Sequence, residues 1–311
     1  MIWTESWDPE EFEVLEKVAK VRSLALDPAW ADAASTSGFA RPCRMGLRDA
    51  DSLRAACLGL KRSRGGFSKI VCGTNGGVGL IAADLEAARE MAKNIWRRWR
   101  PSEMQVFALE SIDDDFRWEP AYTFHLDLRQ SLDEIRRRLL KATRKHLDRA
   151  LRDGVTASSA CGGGEVEEAF DIIEGTARMK GFKVPPRSYL LALHECCGKS
   201  GLGELVVAKR DGRILSAVQI LGARGIASWW KGGSSEEGYR DGASTVAEWE
   251  AIKIAKDRDL GTYDFGGTHP TNATYSAIHQ HKASFGGTLV KTALGDRVTP
   301  AARVAKWLRT L

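Results

Sequence analysis

The chain has 311 residues, of which 43% are hydrophobic and 28% charged, and a formal net charge of +5. That length exceeds what one hydrophobic core comfortably fills, and the composition excludes disordered, fibrous and disulfide-framed classes, so an ordinary folded protein of two domains is expected. The six cysteines form no C-x-x-C pair and no zinc-ligand spacing, so buried thiols in a reducing compartment are expected and a metal is not.

Residues 1–8 lack the basic flank and apolar run of a signal peptide, and no apolar run of ~18 residues occurs anywhere. A cytoplasmic protein without membrane insertion is therefore the expectation. After Pro9, the spacing of Phe12, Leu15, Val18, Ala19 and Arg22 predicts a helix over 9–26. Residues 29–44, rich in Ala, Ser and Gly, read as a loop or short helix. Two apolar runs, 68–72 and 78–82, flank Thr74-Asn75-Gly76-Gly77 and predict a β-hairpin, with Asn-Gly as the turn. Ala88, Met91, Ala92, Ile95 and Trp99 then share one face of a helix over 85–99, and a strand follows over 104–109. The run Trp96-Arg97-Arg98-Trp99-Arg100 has two readings: guanidinium groups on phosphates with indoles on bases, or a cation-complemented helix end anchored by tryptophans.

Residues 121–128 alternate as a half-buried strand with His125 on its polar face. A single long helix is predicted over 131–152, opened by Ser131 and Glu134 in capping-box spacing. Its remaining faces carry Arg136, Arg137, Arg138, Lys141, Arg144, Lys145, Arg149 and Arg152 against one interior acid, Asp148. Segregated like charge at helical spacing is costly without an anionic partner, so this helix is the best candidate for a nucleic-acid backbone. Strand 155–158, helices 165–180 and 188–197, strands 205–209, 214–222 and 226–231, helix 243–258, strand 263–265, helix 272–283, strand 287–294 and a helix after Pro300 complete the chain. Adjacent hairpins followed by crossover helices point to an α+β fold rather than a doubly wound one.

Three constellations carry chemistry. Trp230-Lys231-Gly232-Gly233-Ser234 leaves a strand and leads to Gly242-Ala243-Ser244, where exposed backbone N–H groups favour an anion; a plain glycine-rich connection is the other reading. Tyr263-Asp264-Phe265-Gly266-Gly267 sets a phenol and a carboxylate beside glycines that admit a ligand, or a buried Tyr beside a capping Asp. Lys282, ahead of Phe285-Gly286-Gly287, is placed to hold an acyl oxyanion, or is a surface lysine at a helix end, with His279 and His281 as flanking proton carriers.

Four ordered stretches, Leu140-Lys141-Ala142-Thr143-Arg144-Lys145, Trp230-Lys231-Gly232-Gly233-Ser234, Tyr263-Asp264-Phe265-Gly266-Gly267 and His281-Lys282-Ala283-Ser284-Phe285-Gly286-Gly287, resemble the Fem family of aminoacyl-tRNA-dependent peptidyltransferases within the GNAT superfamily. The resemblance implies two GNAT-like domains, each a mixed, mostly antiparallel sheet flanked by helices, at 1–120 (reduced, on the acceptor side) and 121–311. It also implies transfer of an aminoacyl group from tRNA, as co-substrate and without any cofactor, to an amine-bearing acceptor. Lys282 matches the family's lysine near the acyl ester. The basic helix, with Arg137, Lys141, Arg144 and Lys145, matches the region near tRNA or substrate. Tyr263 falls on the strand whose tyrosine meets the acceptor, and Trp230 to Ser234 join it as the substrate-side strand. Asp264, His281 or a carboxylate on the substrate is the candidate base. The family usually places an aromatic where this chain has His281, and its helical arm has no heptad run here.

Two rival readings remain. An acyl-CoA-dependent GNAT N-acyltransferase wants an Arg/Gln-x-x-Gly-x-Gly/Ala pyrophosphate loop, of which Tyr239-Arg240-Asp241-Gly242-Ala243-Ser244 is a degraded match. An RNA-binding module would use the basic helix alone and leave the Gly-Gly turns without purpose. Acceptors compatible with the sequence are a muropeptide precursor, a peptide or an amine in antibiotic biosynthesis, and nothing in it assigns an oligomeric state.

Overall fold

The computed structural model describes residues 1–19, 24–74, 77–199 and 203–308. The chain divides into two compact units, Met1–Thr123 together with Lys291–Leu311, and Phe124–Val290.

The first unit is built from β1 (Ile2–Thr4), α1 (Pro9–Ala19), α2 (Pro28–Thr36), β2 (Arg41–Arg48), β3 (Leu53–Arg64), β4 (Phe67–Thr74), β5 (Gly77–Val78), β6 (Leu80–Ala82), α3 (Leu85–Trp99) and β7 (Glu103–Ala108). Strands β1-β2-β3-β4-β7 lie in that order, antiparallel except for the parallel pair β4–β7. Helix α3 forms over the expected residues because Asp84 caps its N-terminus and Arg100 ends it in the left-handed region at φ 42.

Helix α2 is the short helix expected within 29–44, and two expectations change. Strand β2 takes the end of that stretch from Arg41, and β3 falls where no element is expected. They escape sequence reading because 53–60 is buried on nearly every side, which gives a continuous apolar run instead of alternation. The hairpin over 68–82 is cut short: β5 pairs with β4 for two residues only, and β6 pairs instead with β3 at Ala55–Cys57. The chain diverts at Gly79, whose N–H donates to Phe107 O at 3.0 Å and whose Cα runs so close to Cys72 and Gly73 that a side chain would collide with their backbone. The Asn75-Gly76 turn lies outside the described residues. So does Arg22 of the predicted first helix, whose described part is α1.

The second unit takes in the end of β8 (Arg117–Asp127), then α4 (Leu132–Arg138), α5 (Lys141–Arg152), β9 (Thr156–Ser159), α6 (Gly162–Lys180), α7 (Arg187–Lys199), β10 (Gly203–Arg210), β11 (Arg213–Ala223), β12 (Ile226–Ser234), α8 (Glu236–Arg240), α9 (Ala243–Asp257), β13 (Thr262–Asp264) and α10 (Ser276–Ala283). The strand order is β8-β13-β12-β11-β10-β9, and only β12–β13 is parallel. The β10–β11 hairpin turns at Asp211 and Gly212, with φ 51 and 78, as the Asp-Gly signal predicts. One core cluster joins α4, α5 and α9 to this sheet through Ile135, Leu147, Ile252, Tyr263, Phe265 and Phe285. Both units are thus mixed, mostly antiparallel sheets flanked by helices. After β14 (Thr288–Val298), the chain ends in α11 (Pro300–Leu308). Residues 293–298 of β14 pair with β7, so 291–311 belong to the first unit and not to a domain running from 121 to the end.

The single helix expected over 131–152 is two. Leu139 and Leu140 are extended, with ψ 137 and 144, and separate α4 from α5. The break is where the Phe-Gly-Gly turn docks: Leu140 N–H donates to Ser284 O at 2.9 Å, and a Cβ on Gly286 would sit 2.6 Å from Arg138 O. Tertiary contact overrides helix propensity here, and two of the motifs read from the sequence meet at this point.

Candidate active site

The site grows from β13. Asp264 Oδ1 accepts the Gly266 N–H at 2.8 Å, a turn that Gly266 completes at φ 73. This turn presents two carbonyls to α10, and Lys282 Nζ donates to Gly266 O at 3.0 Å and to Gly267 O at 2.7 Å. The Lys282 ammonium also lies 5.1 Å from the centre of the Trp229 ring. It is not a surface lysine: only 4% of the residue is exposed. Burial pulls its pKa down to about 8, against the opposing charges of Asp264 and Glu248, while Lys231 adds to the fall.

Glu248 is the residue that sequence reading misses. It projects from the buried face of α9 and accepts the Tyr263 hydroxyl at 2.9 Å. Burial raises its carboxyl to about 7, opposed by hydrogen bonding from Tyr263, the Lys282 charge and a hydrogen bond from Trp229. Tyr263, fully buried, is pushed well above a normal phenol by burial and by Glu248. A carboxyl, a phenol and an ammonium therefore share one apolar enclosure, with Glu248 raised and Lys282 lowered towards neutrality.

The remaining sequence candidates separate. Asp264 is committed to the Gly266 turn, and His125 Nε2 approaches its other oxygen at 3.7 Å. His281 stacks edge-on to Phe285, and burial together with the Lys282 charge lowers its pKa to about 4, so it is neutral at physiological pH. At that value His281 is poorly matched to general base work near neutral pH. Trp230 is the extra residue of a bulge in β12, where the register against β11 shifts between Gln219 and Ile220, and it packs among α6 and α7. Lys231 lies 5.5 Å from the Trp230 ring centre and is lowered by burial.

Gly232, Gly233 and Ser234 do not form an anion loop. They end β12, and α6 presses against it: a Cβ on Gly233 would lie 2.5 Å from Thr176 Oγ1. Ser234 N–H donates to that hydroxyl at 2.9 Å, and its own hydroxyl donates to Ser216 Oγ at 2.7 Å. Helix α8 fills most of the expected loop.

An open cleft of about 930 Å³ lies beside His281, lined by Lys145, His146, Asp148, Arg149 and Arg152 from α5, Arg240 at the end of α8, and Thr245 and Ser284. Asp148, the acid of α5, is paired with Arg136. Among the described residues, no carboxylate pairs with Lys145, Arg149 or Arg152. Arg137 and Lys141 are exposed outside this lining, while Arg144 Nη1 donates to Arg137 O at 3.1 Å and so caps α4. Next to the cleft, α5 packs onto the turn opening α9, where a Cβ on Gly242 would meet His146 Nε2 and Ala150 Cβ at 3.0 Å. Among the described residues no group of His, Cys, Asp and Glu is arranged to hold a metal ion, and no helix is long and apolar enough to cross a membrane.

Residues 133–282 match a family model described as an acetyltransferase (GNAT) domain. No curated protein matches the sequence. Among solved structures, FemX is 14% identical, with 98% of this chain and 99% of that one covered at a TM-score of 0.71. L-PGS from Bacillus licheniformis is 14% identical over 97% and 96% of the two chains, with a TM-score of 0.57. A tandem GNAT protein from the clavulanic acid biosynthesis pathway is 11% identical over 92% and 93%, with a TM-score of 0.58. The chain has a Fem-like, tandem GNAT-type fold.

Proposed function

We propose that this protein is an aminoacyltransferase that moves an amino acid from aminoacyl-tRNA to an amine, forming a peptide bond. The observation that carries the reading is Lys282: a buried ammonium anchored on the Gly266 and Gly267 carbonyls, one residue from His281 in the wall of a basic cleft. The cleft holds the phosphates at the 3′ end of the donor, and the acyl ester reaches towards Lys282. Its third N–H stabilises the oxyanion as the acceptor amine attacks the carbonyl; one C–N bond forms and the C–O bond to ribose breaks. The amine loses one proton and the ribose oxygen gains one, so the reaction needs no net proton exchange with the protein. Glu248, through Tyr263, holds the field around Lys282.

The basic cleft and the covered turn at Gly242 support tRNA over acyl-CoA, because α5 lies where a pyrophosphate loop would need open backbone N–H groups. The GNAT-domain match keeps acyl-CoA as the rival donor. A donor screen decides: purified protein given charged tRNA labels an amine acceptor, and ribonuclease abolishes the labelling. Transfer from acyl-CoA that ribonuclease leaves intact overturns the reading.

A further inference from the structure

The Trp96–Arg100 run of α3 is not absorbed by the site above. Its indoles are half-buried and already carry cations over their rings. Arg41 and Lys61 both lie over the Trp99 ring at 5.4 Å, Lys61 Nζ also donates to Trp99 O at 3.4 Å, and Arg297 lies over Trp96 at 4.4 Å. The cations face outward instead. Arg97 and Arg100 line a depression of about 320 Å³ beside Trp96 and Thr299. The acids of this corner are engaged elsewhere: Glu5 with Arg98, Glu103 with Lys69 and Asp115 with Arg297. Among the described residues, no carboxylate pairs with Arg41, Lys61, Arg97 or Arg100. Four uncompensated cations on one corner repel one another unless an anion joins them. Arg41 lies 5.4 Å from the centre of the Trp99 ring, and its guanidinium, like those of Arg97 and Arg100, carries the fork of N–H donors that suits a phosphate.

We propose that this corner of the first unit is an RNA-backbone contact, binding tRNA phosphates without reading bases, in addition to the cleft of the second unit. It rests on the aminoacyl-tRNA reading for its partner. RNA is favoured over an anionic membrane because interfacial binding needs a free apolar anchor among the cations, and the half-buried rings of Trp96 and Trp99 lie under Arg297, Arg41 and Lys61.

The test compares the full chain with the triple variant Arg41→Gln/Arg97→Gln/Arg100→Asn, Asn being tolerant of the positive φ of residue 100. Binding of uncharged tRNA is titrated against salt. The expected result is a log–log salt slope lower by about 2–3, each lost phosphate contact being worth about 0.7–0.9, and tRNA affinity lowered at least about tenfold at moderate salt. KM for charged tRNA rises, kcat holds, and thermal unfolding is unchanged. An unchanged slope and affinity in a variant that melts normally overturns the proposal. So does loss of binding to phosphatidylserine–phosphatidylcholine vesicles with tRNA affinity intact, which reassigns the corner to a membrane. If the unaltered chain binds tRNA through this corner but transfers nothing from charged tRNA, the proposed function falls and the contact stands. If it transfers and the triple variant behaves like the parent, only the contact falls. An unaltered chain that does not bind tRNA overturns both.

Discussion

Two sets of cations meet along α10, and the fold treats them in opposite ways. Lys282 is withdrawn from water, fixed by two carbonyls and balanced by Glu248 and Asp264. Lys145, Arg149 and Arg152, on the other wall of His281, stand in an open cleft whose acid, Asp148, is paired with Arg136 instead. A preorganised charge in an apolar enclosure is worth several kcal/mol to a developing anion, whereas an exposed one, screened by water and salt, contributes about 1 kcal/mol or less. The difference assigns chemistry to the first set and affinity to the second, and each assignment can be broken separately.

The largest effect belongs to Lys282→Met, which keeps the stem and removes the charge. Single-turnover kinetics with charged tRNA should show a loss of about 10²–10³ in rate, as for other oxyanion donors, while tRNA affinity stays within about twofold. A parallel loss of tRNA binding would merge the two sets. Next comes Glu248→Gln. The Glu248 carboxyl is raised from 4.5 to about 7, so its stabilising contribution is complete below the unfolded value and is lost as pH rises through about 7. Denaturant unfolding from about pH 5 to about pH 8 should therefore show the parent losing stability relative to the variant, on the order of 3 kcal/mol. Parallel curves would mean that Glu248 is not the buried acid described.

Gly286→Ala probes the joint between the two sets. Its φ of 78 and the close approach to Arg138 O leave no space for a methyl group, so about 2 kcal/mol of stability should be lost in thermal unfolding. An unperturbed melt would show that the α4–α5 break does not depend on the turn. The smallest effects are those of Lys145→Ala and Arg149→Ala. Each should lower the salt slope of tRNA binding by about 0.7–0.9 and leave kcat at saturation and the melting temperature unchanged.

Sequence reading reached parts of this unevenly, for physical reasons. Three of the four motifs are local and carry their own signals: a lysine before a Phe-Gly-Gly turn, a Tyr-Asp strand before Gly-Gly, a segregated basic helix. Glu248 carries none, because α9 is buried on almost all sides and a single acid in it looks like an ordinary polar position. Gly232 and Gly233 misled in the other direction. Glycine marks close approach, and the sequence does not say whether a ligand or a helix approaches; here it is α6. The α4–α5 break was hidden because only a residue far along the chain, Gly286, creates it.

The central claim is the donor. Radiolabelled amino acid on tRNA, incubated with purified protein and a panel of amines, should yield ribonuclease-sensitive labelled product, and the same panel with acyl-CoAs should yield none. Ribonuclease-resistant transfer from an acyl-CoA, with charged tRNA inert, would contradict the account.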